Sequence, residues 1–257
     1  MTDAIVARNV VVRLGGRAVL DGLNLSVHAG ESLVIAGPSG CGKSVFLKTI
    51  LRLLEPAAGE ILIEGRDILK MTDREFLALR TRIGMVFQSP ALFDSMTVWE
   101  NVGFFLLNHT DLPADEVRRR VSASLEAVGL PGIEDKLPEE LSGGMKRRVS
   151  IARALIGKPS ILLYDEPTTG LDPITSASIA GLMREIHRRE GATTVAVTHD
   201  VQLAARLADR IALISNGRIE ELGTFEELKR TSRNPLILSY LEAEEREEAG
   251  NAKPSHP

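Results

Sequence analysis

The sequence predicts an α/β protein: a mostly parallel core sheet, preceded by an antiparallel β-subdomain and interrupted by a helical subdomain insert. Three observations carry this. A short apolar run, residues 32–36, feeds a glycine-rich loop that opens an apolar-periodic segment over residues 45–54. Further buried-strand runs at residues 83–87, 161–164 and 194–197 alternate with helical spacing, as parallel strands joined by crossovers do. Between Ser89 and Gly157 strand-like runs vanish, which marks the insert.

Taken in order, residues 5–12 and 23–27 alternate or run apolar, with Gly15-Gly16 and Asp21-Gly22 as turn signals, so an antiparallel segment comes first. The helix over 45–54 is expected to stop near Pro56 and Gly59, and 60–64 reads as another strand. Residues 83–87 form a buried strand ending at Gln88. In the insert, Val117, Val121, Leu125 and Val128 repeat at helical spacing over 115–128, and Gly129 ends the run. Strand 161–164, helix 176–188 and strand 194–197 follow, and Asn216-Gly217 joins 211–215 to 218–221 as a hairpin. The tail is acidic over 242–248 and then carries proline, so its last ten or so residues are expected to be disordered. There is no internal repeat. The resulting organisation is 1–88 as the first part of the core, 89–157 as the helical subdomain, 158–232 as the second part of the core and 233–257 as a tail.

Composition bounds the function. With 257 residues, 44% hydrophobic and 26% charged, the chain is long enough for a sizeable core and a smaller subdomain. A formal charge of −4 argues against a nucleic-acid partner, and Arg118-Arg119-Arg120 reads as the solvated side of a helix. The single cysteine, Cys41, permits no intrachain disulfide and fits a reducing compartment. The first residues show no secretory signal, and no run approaches the ~18 apolar residues of a membrane helix, so a membrane role requires a partner.

Gly37-Pro38-Ser39-Gly40-Cys41-Gly42-Lys43-Ser44 fits the phosphate-loop pattern: backbone N–H groups wrap phosphate, Lys43 reaches the β/γ oxygens and Ser44 is placed to bind Mg²⁺. Asp165 and Glu166 end a buried strand at the carboxyl edge of the sheet, where ligands bind in open α/β folds. Neighbouring strand residues face opposite ways, so Asp165 can serve Mg²⁺ and Glu166 can act as general base on a water. His199 ends the strand 194–197 at the same edge and is the candidate for γ-phosphate contact; His28, His109, His187 and His256 read as structural or solvated. Gln88, also at a strand end, can touch Mg²⁺ or the attacking water. Ser142-Gly143-Gly144 opens a second helix whose unpaired N–H groups make an anion site. The phosphate loop leaves that helix start nothing to bind in its own chain, which points to the nucleotide of another subunit.

At these residues the chain resembles the ATP-binding cassette (ABC) ATPases, over roughly residues 5–229. The six ordered motifs are the Walker A loop at 37–44, the Q-loop at Gln88, the signature Leu141-Ser142-Gly143-Gly144-Met145, Walker B ending at Asp165-Glu166, the D-loop Gly170-Leu171-Asp172-Pro173 and the switch His199. The resemblance implies ATP and Mg²⁺ as ligands and a head-to-tail homodimer. In it, Ser142, Gly143 and Gly144 of one subunit close over ATP held by Lys43, Ser44 and Val45 of the other, with Asp172 communicating between sites. Lys43, Gln88, Glu166 and His199 are the implied catalytic set, and Ser44, Gln88 and Asp165 the implied metal ligands. One position departs from the family. Leu14 stands where an adenine-stacking aromatic is usual, so Val19 and an arginine such as Arg13 or Arg17 are expected to cover the base, with looser discrimination of ATP from GTP.

The wording of the motifs, FQSPALFDSMTV from Phe87, LSGGMKRR from Leu141 and DEPTTGLDPIT from Asp165, is similar to the ATPases of Mla-type phospholipid transporters. That branch implies an MlaE-like integral-membrane permease, an MCE-domain lipid-binding protein, in some systems a STAS-domain subunit, and a peripheral place on the cytoplasmic face of the inner membrane. Leu92, Phe93 and Trp99 are the candidates to line the groove for a permease helix, Trp99 equally readable as core of the insert. An ABC ATPase of another importer or exporter, or a soluble one such as in iron–sulfur cluster assembly, is the alternative.

Overall fold

In the computed structural model, which describes residues 2–239, 241 and 242, the chain opens with a long hairpin. Strands β1 (Asp3–Leu14) and β2 (Arg17–His28) pair antiparallel around Gly15 and Gly16, both at positive φ as a two-residue hairpin requires. The other turn signal, Asp21-Gly22, is no turn. The register passes from Val10 opposite Leu23 to Val11 opposite Asp21, so Gly22, at φ +75°, is the extra residue of a bulge inside β2. After β3 (Ser32–Ala36), the strands β4 (Ala58–Ile63) and β5 (Arg66–Asp67) complete a four-stranded antiparallel sheet of order β2-β1-β4-β5.

The second sheet also contains β6 (Ile83–Val86), β7 (Ile161–Asp165), β8 (Thr193–Thr198), β9 (Arg210–Ser215) and β10 (Arg218–Gly223). Its order is β10-β9-β3-β8-β7-β6, parallel from β9 to β6, with β10 returning antiparallel through Asn216-Gly217. Every residue of β3, β7 and β8 is buried, which is why these strands read as unbroken apolar runs. The period of two still sorts them. Val34, Ala36, Leu162, Tyr164 and Ala196 join a core with the helices, while Leu33, Ile35, Leu163, Val195 and Val197 join a second core with the antiparallel sheet.

Helices α1 (Lys43–Ile50), α2 (Asp73–Arg80), α3 (Val98–His109), α4 (Ala114–Ala127), α5 (Gly143–Leu155), α6 (Pro173–Glu190), α7 (Val201–Leu207) and α8 (Phe225–Thr231) surround these sheets. Helix α1 ends sooner than its apolar run. The amide of Leu53 bonds to Lys48 and that of Arg52 to Thr49, a Schellman closure with Arg52 at φ +49°. The Arg52 guanidinium sits 4.8 Å from the Phe76 ring centre, a contact from outside the helix at this residue. Reciprocal capping boxes, Thr72 with Glu75 and Thr97 with Glu100, start α2 and α3. Among the described residues no helix is long and apolar enough to cross a membrane. Residues 235–239 are helical and Ile237 is buried in the core, so the chain stays packed past residue 233. The disorder expected of the last ten residues lies outside the described residues.

Candidate active site

The phosphate loop is shaped by contacts to the strands around it. Gly42 has φ +109°, and a Cβ there would stand 2.7 Å from Leu20 Cδ2 and 3.0 Å from the Val19 carbonyl oxygen. It caps α1 without a side-chain hydrogen bond, which leaves the helix's first amides facing the loop. Lys43 is 5% exposed, and its ammonium donates to the carbonyls of Gly37 (2.8 Å) and Pro38 (3.1 Å). The loop opens on a cavity of about 270 Å³ walled on one side by Ser39, Gly40, Gly42, Lys43, Ser44 and Val45. Val19 of β2 and the strand-end residues Gln88, Glu166 and His199 form the rest. Four residues from distant parts of the chain thus meet the loop because β2 begins there and β6, β7 and β8 end there.

The carboxylates divide as their strand positions require. Ser44 Oγ donates to Asp165 Oδ1 at 2.6 Å. Burial pushes the Asp165 carboxyl up, opposed by that hydroxyl and reinforced by the charge of Glu166. Glu166, 8% exposed, has Oε1 at 3.6 Å from the Lys43 ammonium and Oε2 at 2.8 Å from His199 Nδ1, and accepts from Thr169 Oγ1 at 3.3 Å. Its backbone is left-handed, φ +46°, a conformation that costs a non-glycine residue about 1–2 kcal/mol. Its amide still bonds to the Val197 carbonyl, so the strained residue is tied to β8. The paired Ser44 hydroxyl and Asp165 carboxylate, with Gln88 across the cavity, suit Mg²⁺, which takes one or two carboxylates and completes its shell with phosphate and water. Among the described residues there is no cluster of three His, Cys, Asp or Glu that would cage a metal by itself.

Other expected residues lie apart from this wall. Ser142 caps α5, accepting from the Met145 amide at 3.3 Å, and neither it nor Gly143 nor Gly144 lines the cavity. Gly144 has a reason inside its own chain: a Cβ would come within 2.7 Å of Thr175 Cγ2, whereas at Gly143 the nearest atom, Leu171 Cδ2, is at 3.6 Å. Asp172 caps α6, accepting from the amides of Ile174 and Thr175 at 3.0 Å each, and these bonds hold its carboxyl below the usual range. Leu14 is 42% exposed at the tip of the first hairpin, outside the cavity wall, while Val19 is part of it.

Sequence reasoning missed two arginines on α5. Arg147 donates to the carbonyls of Phe87 and Gln88, and Arg153 to those of Pro90 and Ala91. Their only sequence signal is a charged residue among the apolar positions of a helix. A groove of about 510 Å³ lies beyond Gln88, lined by Leu77, Met85, Phe87, Phe93, Phe104 and Phe105 among others. Phe93 thus lines a groove. Leu92 and Trp99 instead pack against the helical core, with Arg118 over the Trp99 ring at 5.8 Å.

Comparison with known proteins matches residues 20–169 to the ABC transporter family. The intermembrane phospholipid transport system ATP-binding protein MlaF of Haemophilus influenzae is 40% identical over 242 residues, 94% of this chain and 91% of that protein. The spermidine/putrescine import ATP-binding protein PotA of Acidothermus cellulolyticus is 42% identical over 89% of this chain, but over 58% of its own length. Among solved structures, the dimeric ATP-binding cassette MJ0796 in a post-hydrolysis state bound to ADP and Pi superposes with a TM-score of 0.78 at 34% identity, covering 86% of this chain and 98% of that one. Likeness of this extent, in sequence and in fold, places the chain in the ABC transporter family as an ATP-binding subunit that hydrolyses ATP.

Proposed function

We propose that this chain powers phospholipid movement between the inner and outer membranes of a double-membraned bacterium. It works as a homodimer beneath an MlaE-like permease, on the cytoplasmic face of the inner membrane, in one complex with an MCE-domain lipid-binding protein and, in some systems, a STAS-domain subunit. The observation that carries the reading is likeness to a phospholipid-transport ATPase along nearly the whole of both chains. The polyamine importer's ATPase, which extends well beyond the matched region, supports a second reading as the ATPase of another importer.

In each site the backbone N–H groups of the phosphate loop, Pro38 having none, and the Lys43 ammonium bind the β/γ-phosphates. Ser44, Asp165 and Gln88 would hold Mg²⁺, which supplies positive charge to the phosphate oxygens. Glu166 takes the proton of the attacking water, and its buried place beside Lys43 and His199 fixes its orientation. His199 contacts the γ-phosphate. That Ser142, Gly143 and Gly144 stand outside their own chain's cavity supports their action on the nucleotide of the other subunit, with Asp172 linking the two sites.

The test is reconstitution of the complex in vesicles loaded with a fluorescent phospholipid. ATP-dependent lipid transfer is expected. ATP-dependent polyamine uptake without lipid transfer would replace this reading with the importer. Recovery of only soluble partners in a detergent pull-down would favour iron–sulfur cluster assembly.

A further inference from the structure

Arg147 is 2% exposed, and among the described residues it has no carboxylate partner. Burying a cation without a counter-ion is costly, and here only carbonyl oxygens offset it. One terminal nitrogen donates to the Phe87 carbonyl and the other to that of Gln88 at 2.5 Å; its Nε is buried and unsatisfied. An aliphatic side chain of similar volume would fill the same space without that penalty, so the guanidinium is better explained by what it holds. It holds the peptide on both sides of the Cα of Gln88, the residue that reaches the nucleotide cavity from β6. Six residues along α5, Arg153 forks onto two carbonyls further on, Pro90 at 3.0 Å and Ala91 at 2.8 Å. The helix capped by Ser142 therefore grips the segment 87–91 at four of its five carbonyls, those of Phe87, Gln88, Pro90 and Ala91. A planar fork can bridge two carbonyls in fixed geometry, which a lysine ammonium cannot.

We propose that Arg147 is a positioning residue for ATP hydrolysis, fixing Gln88 in the cavity relative to helix α5, so that engagement of α5 by the partner subunit's nucleotide sets Gln88 in this chain's own site. The proposal rests on the reading of Gln88 as a ligand of Mg²⁺ or the attacking water.

The experiment is a double-mutant cycle on the purified full chain, with kcat, KM for ATP and the Mg²⁺ concentration for half-maximal activity as readouts. Arg147→Met is expected to lower kcat between about ten- and a hundredfold with KM for ATP little changed, and to raise the Mg²⁺ requirement. Arg147→Gln, whose amide can still donate to one carbonyl, should fall between Met and the parent. Gln88→Ala should show the same signature, and the double variant Gln88→Ala/Arg147→Met should be no worse than Gln88→Ala alone. Binding of a fluorescent ATP analogue reports that each variant is folded; should Arg147→Met fail to bind it, the cycle is run with Arg147→Gln. Multiplicative losses in the double variant, or an unchanged Mg²⁺ requirement in the arginine variants, would overturn the role of Arg147 and leave that of Gln88 standing. A Gln88→Ala variant with parental kcat and Mg²⁺ requirement would instead overturn the reading of Gln88, and the role of Arg147 with it.

Discussion

Gly143 and Gly144 are adjacent and look equivalent in sequence, but their surroundings differ. Gly144→Ala forces Thr175 to move, and overpacking of this kind costs about 1–3 kcal/mol, partly offset by the better helix propensity of alanine, up to about 1 kcal/mol. A net loss on the order of 1 kcal/mol is expected in urea unfolding, with recovery in Gly144→Ala/Thr175→Ser, which removes the offending methyl. Gly143→Ala meets only ordinary contact, so it should leave stability unchanged and lower ATPase activity alone, if its partner is a nucleotide on the other subunit. Glu166 sits at the opposite extreme, strained and multiply tied. Glu166→Gln keeps the shape and removes the basic oxygen, so ATP binding should persist while turnover falls by about 10²–10⁴-fold. Sizing chromatography with ATP and Mg²⁺ should then show a trapped dimer; a variant that remained monomeric even with its permease would sink the shared-site mechanism.

Several elements are joined by one carboxylate. Asp209, just before β9, accepts from the Ser32 amide at 2.8 Å and from Arg184 of α6 at 3.1 Å, with His187 Nε2 at 3.6 Å. Burial alone would raise its carboxyl, but the bonds from His187, Ser32 and Arg184 outweigh it and bring it down to about 2. A carboxyl depressed from an ordinary value of about 3.9 contributes stability that is complete above that value and is lost as pH falls through 2. Asp209→Asn should therefore unfold at lower temperature than the parent at pH 6, with the gap narrowing as pH drops from about 4 to about 2. Which elements were legible follows from their burial. Strands β3, β7 and β8 are buried throughout and declare themselves as apolar runs, and α4 shows its Val117, Val121 and Leu125 stripe. Helix α2 stayed hidden because it buries only Phe76 and Leu79, and its real signal is the Thr72–Glu75 box. Gly22 misled because a bulge and a turn ask the same thing of glycine. The site was legible where chemistry fixes residue type at strand ends, at Lys43, Asp165, Glu166 and His199. Arg147 was not, because its partners are carbonyls that any residue supplies.

At the scale of the molecule, the nucleotide cavity and the apolar groove share the segment around Gln88: Phe87 lines the groove and Gln88 the cavity. Phe93 is 44% exposed, and its ring packs against that of Phe104, centroids 5.1 Å apart, in the groove lining. Phe93→Asp should keep the ATP affinity of the isolated chain and lose co-purification with the permease; an unchanged complex would remove Phe93 from the contact. The sheet order carries another consequence, for synthesis. β3 lies between β8 and β9, and β6 pairs only with β7, so among the described strands neither of the first two members of this sheet meets a neighbour until much later sequence exists. On a ribosome adding about 5–20 residues per second, the ~160 residues between β3 and β8 take on the order of ten seconds. During that interval the nascent phosphate loop has no sheet to stand on, and the apolar face of β3 is available to chaperones or to misfolding.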